Sequence, residues 1–447
     1  MQNAEQSGQS EGLNLQHVTV CPDCDLVVAT EPVEVPIGSQ LVCPRCRCRI
    51  ITPKKETVNR TLALSITSLL FFFPAHFMLL LQLEALGLLD QGTVFDSMTA
   101  VYHQKYLFVA LMVFLTAILI PLAKLSLLFL VSLGISRQIF TKQLPRLFRW
   151  FTHIEEWGMT EVYLIGILVT IIKMSATADI SYEKGFFCFI GLSFAIVGCI
   201  FSLDKHRYWK EIEKLQGSEG QAEPEEWLPS LQVRPLEPAL NSDLVQCHTC
   251  HKVMHYVETK PGYEMHCPRC GGTVHKRIPN SINTTWALVL SALIFSIPAN
   301  YLPIMQVDFL GTPERSTIMD GIEYFFQTGS FGIGLIILTA SILVPVFKVV
   351  GLIILLYSIH FNRWSRRTQK SAMFRFVKFI GRWSMLDIFV IALLCALVDF
   401  GFFTSIMAAP ASTFFTFVVI TTMFAAISFD PRLLWDLPSP KDGMYKE

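Results

Sequence analysis

Eight of the twelve cysteines in this chain fall into four C-x-x-C pairs, and the pairs combine into two quartets. Cys21, Cys24, Cys43 and Cys46 follow C-x2-C-x18-C-x2-C; Cys247, Cys250, Cys267 and Cys270 follow C-x2-C-x16-C-x2-C. Two residues between thiolates make a tight knuckle that presents both sulfurs to one ion. Two such knuckles close a tetrahedral S4 shell, which suits zinc or a single iron. All four positions are cysteine, so no coordination site stays open for substrate, and the expected role is one structural Zn2+ per quartet. A ribbon of about 30 residues buries too little core to fold unaided, so metal binding is expected to supply much of its folding energy. His248, His251, His255, His266 and His275 crowd the second quartet. We read them as surface histidines of a small domain, and Cys188, Cys199 and Cys395 as apolar packing residues.

A second set of reactive groups lies inside apolar runs. Lys124 and Lys348 occupy matching Pro-x-x-Lys motifs, and Glu161 and Asp387 follow matching tryptophans. A charge at mid-bilayer costs about 2.5–3.5 kcal/mol on insertion scales. The natural expectation pairs Lys124 with Glu161 and Lys348 with Asp387. Near the second pair stand Ser341, Ser384, Thr421 and Thr422 at helical spacing. Lys173 and Asp399 hold equivalent places, where snorkelling to the outer interface is the bland reading. These groups read either as buried ion pairs that fix helix register or as an intramembrane proton or substrate relay, with the second-half cluster the better candidate.

The elements that carry these groups are membrane helices. The chain is 52% hydrophobic and 16% charged, with mean hydropathy +0.46; ordinary soluble proteins carry about 25% charged residues. About 20 apolar residues cross a bilayer. Spans are predicted near 61–83, 106–134, 158–175 and 185–203, and again near 284–306, 331–359, 384–402 and 409–429. Pro74, Pro121, Pro298 and Pro345 fall inside them.

The whole pattern is duplicated at a period of about 225 residues. Pro74-Ala75-His76 returns as Pro298-Ala299-Asn300, Pro121-x-x-Lys124 as Pro345-x-x-Lys348, and Asp204…Trp209 as Asp430…Trp435. The predicted fold class is an all-α polytopic membrane protein in which each half is a small zinc ribbon plus a four-helix transmembrane bundle. We divide the chain into a polar tail (1–17), ribbon 1 (18–52), bundle 1 (58–210), a polar linker (214–243), ribbon 2 (244–278), bundle 2 (281–436) and a tail (437–447).

Basic residues such as Arg137, Lys142, Arg146 and Arg149 fill connector 135–157, and Arg363 through Arg382 fill 360–383. Connectors 84–105 and 308–330 lean acidic. Positive residues stay inside, which places both termini and both ribbons in the cytoplasm. The polar N-terminus has no basic-then-apolar pattern of a cleavable signal, so targeting is expected from the first span. No phosphate-binding loop, kinase set or hydrolase motif occurs, and the chain is not expected to be an enzyme. Ribbons tethered to spans and lacking a basic stripe are expected to dock protein, not nucleic acid.

Several stretches carry a family likeness: the duplicated C-x-x-C ribbons, Ile297-Pro-Ala-Asn-Tyr-Leu-Pro303, Ser341-Ile-Leu-Val-Pro-Val-Phe-Lys348, Gly381-Arg-Trp-Ser-Met-Leu-Asp387 and Asp430-Pro-Arg-Leu-Leu-Trp-Asp436. Together they resemble the PqiA/LetA family of paraquat-inducible protein A type membrane proteins, over nearly the whole chain. The Asp-Pro-Arg-Leu ending is closer to PqiA. The resemblance implies an inner-membrane component of a Gram-negative intermembrane lipid transport system. Its partner would be an MCE-domain protein (PqiB- or LetB-like) that forms a tunnel, and its cargo phospholipid. His76 stands where the second half has Asn300, and Glu161 where it has Asp387, so equal function of the halves does not follow. Two other readings are a membrane-anchored zinc or redox sensor, and a passive scaffold for a periplasmic partner.

Overall fold

The computed structural model describes residues 18–29, 40–85, 88–174, 179–217, 238–239, 244–257, 264–309, 312–327, 329, 331–361, 366–400 and 404–436. Both tails and most of the linker lie outside these. Among the described residues, eight helices are long and apolar enough to cross a membrane, four in each half. The first and last spans of each half, Thr57–Phe77 with Lys184–Ser202 and Ser281–Tyr301 with Pro410–Ser428, pack along one another. Their ribbon ends carry the same latch twice. Thr57 Oγ1 donates to the Ser202 carbonyl at 2.5 Å and accepts from Asp204 N–H at 2.9 Å. Ser281 Oγ donates to Ser428 at 2.7 Å and accepts from Asp430 N–H at 2.9 Å.

Each second span bulges at the same point. Leu107–Val113 passes through a six-residue π turn, Phe114–Leu119, into Ile120–Arg137. Its counterpart runs Phe331–Ile337, π turn Leu338–Leu343, then Val344–His360. Pro121 and Pro345 explain both bulges. Proline has no N–H and crowds the carbonyl four residues back, so the helical ladder slips by one residue. Accordingly Ile120 N–H bonds the Leu115 carbonyl, and Val344 N–H bonds Thr339.

The third crossing helices, Leu144–Met174 and Arg367–Leu397, reach crossing length only with the amphipathic segments that precede them; their apolar parts are short. Thr160–Met174 has 15 residues and Leu386–Leu397 has 12, or roughly 22 and 18 Å against a hydrocarbon core of about 30 Å. They are protected by position, because the two lie against each other at the centre of the molecule with Phe389 and Leu394 fully buried. Gly166 permits the approach: a Cβ there would stand 3.3 Å from Phe389 Cβ. On the ribbon side each third span is preceded by an amphipathic helix, Leu144–Ile154 or Arg367–Ile380.

The opposite end holds two small antiparallel sheets that the all-helical expectation did not contain. Leu81–Ala85 pairs with both Leu88–Gly92 and Asp179–Tyr182; Met305–Phe309 pairs with both Thr312–Ser316 and Thr404–Ala408. A helix follows the second strand in each half. Thr93 with Asp96 caps Val94–His103, and Thr317 with Asp320 caps Ile318–Gln327.

The ribbons cross. Ribbon 2 packs on bundle 1, its four cysteines in one apolar cluster with Phe148, Phe151, Tyr208 and Trp209. Ribbon 1 packs on bundle 2, with the Arg45 guanidinium 4.5 Å from the Trp435 ring centroid. The clasp is pseudo-symmetric: Arg149 donates to the Cys270 carbonyl and Arg375 to the Cys46 carbonyl, each at 3.2 Å. Between them the ribbons share a core of Val18, Val20, Val27, Leu244 and Val253.

Candidate functional site

The cysteine quartets are formed as ion-binding shells. Sγ–Sγ distances are 3.4 Å (Cys21–Cys46), 3.5 Å (Cys24–Cys43), 3.6 Å (Cys247–Cys270) and 3.4 Å (Cys250–Cys267). Thiolates about 2.3 Å from a central ion stand roughly 3.8 Å apart, whereas a disulfide needs about 2.05 Å. The geometry therefore fits a metal and excludes cystine. The residue after each second knuckle cysteine is left-handed: Asp25 (φ 59°), Arg47 (φ 61°), His251 (φ 57°) and Gly271 (φ 66°). Three of these are not glycine, a conformation that persists where the surrounding structure dictates it. All eight thiols are at most 4% exposed.

No histidine joins either shell among the described residues. His251 is exposed, as expected of a surface histidine, and desolvation with the nearby Lys205, His206 and His248 pushes it down to about 4. His248 Nε2 instead faces Arg432 Nη2 at 3.0 Å. Around ribbon 1 the charges are docking contacts. Arg277 reaches Asp25 at 3.0 Å and Asp436 at 2.7 Å, and Arg375 reaches Asp23 at 2.7 Å. Burial pushes the Asp25 carboxyl up while Arg277 and Arg432 pull against it. At Asp430 burial also opposes ionisation, but hydrogen bonds from Arg432 and the Ile278 N–H win and hold it low.

Inside the membrane layer the expected ion pairs do not form. Lys348 is fully buried and its Nζ donates to Ser384 Oγ at 3.3 Å. Asp387 lies instead beside the Ser341 hydroxyl, and its Oδ2 is buried with no hydrogen-bond partner. The reason is helix register. Seven residues separate Ser341 from Lys348, about 10 Å of axial rise, so the carboxylate is level with the serine and out of reach of the amine. Lys124 is buried against Gly158 without closing on Glu161. Thr421 and Thr422 bond carbonyls of their own helix, at Phe417 (2.7 Å) and Val419 (2.9 Å), and are not drawn to Asp387.

Sequence reasoning set Lys173 apart as a residue that snorkels outward. The structure turns it inward, because its short helix is enclosed by the other half. Lys173 and Asp387 line one cavity of about 70 Å³ with Ala340, Ser341, Met305 and Thr317. The Lys173 amine stands 3.9 Å from Met305 Sδ and 5.9 Å from the Phe325 ring centroid. Asp399, its counterpart, uses its backbone N–H to bond Asp90 Oδ2 at 2.9 Å at the sheet end. The same bulged span has an apolar groove of about 430 Å³ on its other flank, lined by Leu338, Ile342, Val346, Val350, Ile354 and Met373. One signal was available for the cavity: Pro345 and Ser341 are four residues apart, the distance at which proline frees a carbonyl.

The family model for paraquat-inducible protein A matches residues 58–213 and 282–438, one match in each half. The intermembrane transport protein PqiA of Escherichia coli K12 is 30% identical over 426 residues, covering 93% of this chain and 95% of that protein. The lipophilic envelope-spanning tunnel protein A of the same organism is 30% identical over 422 residues, covering 93% and 90%. A probable intermembrane transport protein of Haemophilus influenzae is 27% identical over 423 residues, covering 93% and 95%. No solved structure matches.

Proposed function

The chain belongs to the paraquat-inducible protein A family, and on that premise we propose that it passes phospholipid between the bacterial inner membrane and a tunnel built by an MCE-domain partner of the PqiB or LetB kind. Relatives named for intermembrane transport and for an envelope-spanning tunnel support the transport part; lipid and partner come from the family likeness. The single observation that carries the reading is the bulged second span of the second half. One flank holds an apolar groove of about 430 Å³, within the roughly 300–1,000 Å³ usual for ligand pockets. The other flank holds the cavity with an unpartnered Asp387 oxygen. A carboxylate with no ion pair at membrane depth is costly to keep and is a functional group by default.

In this reading Ser341, Asp387, Lys348 and Ser384 form the working polar set, and Lys124 with Glu161 is its divergent copy. The basic connectors put the ribbons and termini in the cytoplasm, and the two sheets face the partner. Zn2+ in each quartet supplies folding energy to a ribbon and leaves no site for substrate. The test is reconstitution of the protein with its MCE partner in vesicles, following a fluorescent phospholipid. Asp387→Ala and Lys348→Ala are each expected to abolish transfer while still inserting. Full activity in both variants would refute the relay. Copurification with the partner but without lipid, by mass spectrometry, would favour a scaffold instead.

A further inference from the structure

The four cysteine knuckles close in the same way, and one of them ends in a further thiol. In each, the N–H of the first cysteine bonds the carbonyl five residues on: Cys21 to Leu26 and Cys247 to Lys252 at 2.9 Å, Cys43 to Cys48 and Cys267 to Gly272 at 2.8 Å. Leu26, Cys48, Lys252 and Gly272 therefore hold equivalent places. Gly272 shows how near the metal shell such a place can stand. Its N–H bonds Cys270 Sγ at 3.4 Å, and a Cβ there would lie 3.4 Å from the same sulfur. Ribbon 1 fills the corresponding place with Cys48, packed against the shell, its thiol neighbouring those of Cys21 and Cys46. The four shell cysteines of ribbon 1 are fully buried. Cys48 is half-buried, and its thiol donates to the Arg49 carbonyl in an exposed bond of 3.5 Å. A fifth thiol thus joins a sealed shell to solvent.

We propose that ribbon 1 is a metal-exchange site, in which Cys48 is the incoming ligand that lets the ion pass to a chelating acceptor in solution, whereas ribbon 2 holds its ion without such a route. A closed S4 shell has no open position, so its ion leaves either when the ribbon opens or when a fifth ligand enters. Opening must break the clasp on the bundle, made by Arg149 at the Cys270 carbonyl and by Arg375 at the Cys46 carbonyl. Entry of Cys48 leaves the clasp in place. Its sulfur sheds a proton to solvent as it bonds the ion, and the Cys21 or Cys46 sulfur that leaves takes one up. Charge is conserved and nothing is oxidised. The ion then has one half-buried ligand, where an acceptor can repeat the swap. Gly272 offers ribbon 2 no side chain for the first step. This role of ribbon 1 does not depend on whether the chain moves lipid.

The full chain, purified in detergent and loaded with zinc, is mixed with an excess of the chromogenic chelator pyridylazoresorcinol at fixed pH under argon, and metal transfer is followed by colour. Two phases of equal amplitude are expected. Cys48→Ala should slow the faster phase by about tenfold, a barrier difference of roughly 1.4 kcal/mol. Gly272→Cys, which gives ribbon 2 the same thiol, should speed the slower phase by a similar factor. Cys188→Ser, which removes a half-buried thiol from the span Lys184–Ser202, is the control and should leave both phases unchanged. A single rate for both ions in the unaltered chain would overturn the proposal. So would a fast phase that persists, or quickens, in Cys48→Ala. If that variant does not fold, Gly272→Cys decides alone, and an unchanged slow phase there refutes the exchange route.

Discussion

At the scale of single residues, the same backbone defect is treated in two ways. His76 is fully buried between Phe72, Phe189 and the bulge, with Nδ1 2.8 Å from the Phe72 carbonyl and Nε2 3.2 Å from Ala117. Each ring nitrogen faces a carbonyl, and a proton on Nε2 would serve the one whose helical donor the proline has removed. Replacing the ring leaves a buried carbonyl unpaired, which costs about 1–3 kcal/mol, and opens a void besides. His76→Ala is therefore expected to lower stability by about 3 kcal/mol. Asn300→Ala removes only an exposed bond to its own helix and should change stability by no more than about 0.5 kcal/mol. Thermal unfolding of the two variants side by side checks the contrast, and equal losses would mean that the ring does not serve the carbonyl.

At the scale of elements, what could be read from the sequence was whatever is set by local composition. Apolar length located the spans within a few residues, and C-x-x-C spacing located the shells, because each depends on neighbours in the chain. The sheets were illegible for the opposite reason: Leu81 pairs with Tyr182, about a hundred residues away, inside connectors too short and mixed to show alternation. The Lys348–Asp387 pairing failed because sequence offsets do not fix the relative heights of two helices. Those heights are set by tertiary packing, as where the two third spans meet at Gly166. Gly166→Leu would drive a side chain into Phe389, Leu386 and Leu393, and overpacking of this kind costs about 1–3 kcal/mol. Gly321→Ala, where an added Cβ meets nothing within 4 Å, is the matched control. The thermal aggregation temperature of the purified protein should fall for Gly166→Leu and hold for Gly321→Ala; a fall in both would point to general fragility and not to the helix contact.

At the scale of the whole molecule, duplication has not produced two independent units. Each ribbon stands on the bundle that its own half does not contain, fixed by Arg149 or Arg375 at matching places, while the third spans join the halves at the centre. Because a ribbon depends on its ion to fold, loss of one shell should be felt in the opposite half. Cys247→Ser is expected to raise amide hydrogen exchange in Leu144–Ile154 and Lys205–Gly217, which cover ribbon 2 through Phe148, Phe151 and Trp209. It should leave Arg367–Ile380 protected. Cys21→Ser should do the reverse, exposing Arg367–Ile380, whose Arg375 holds ribbon 1 at Asp23 and Cys46. Local opening spreads to the elements packed against the unfolded ribbon, whatever their separation along the chain. If each cysteine variant instead loosened the bundle that follows it in sequence, the ribbons would not be crossed in solution, and the two halves would be free to move without reference to one another.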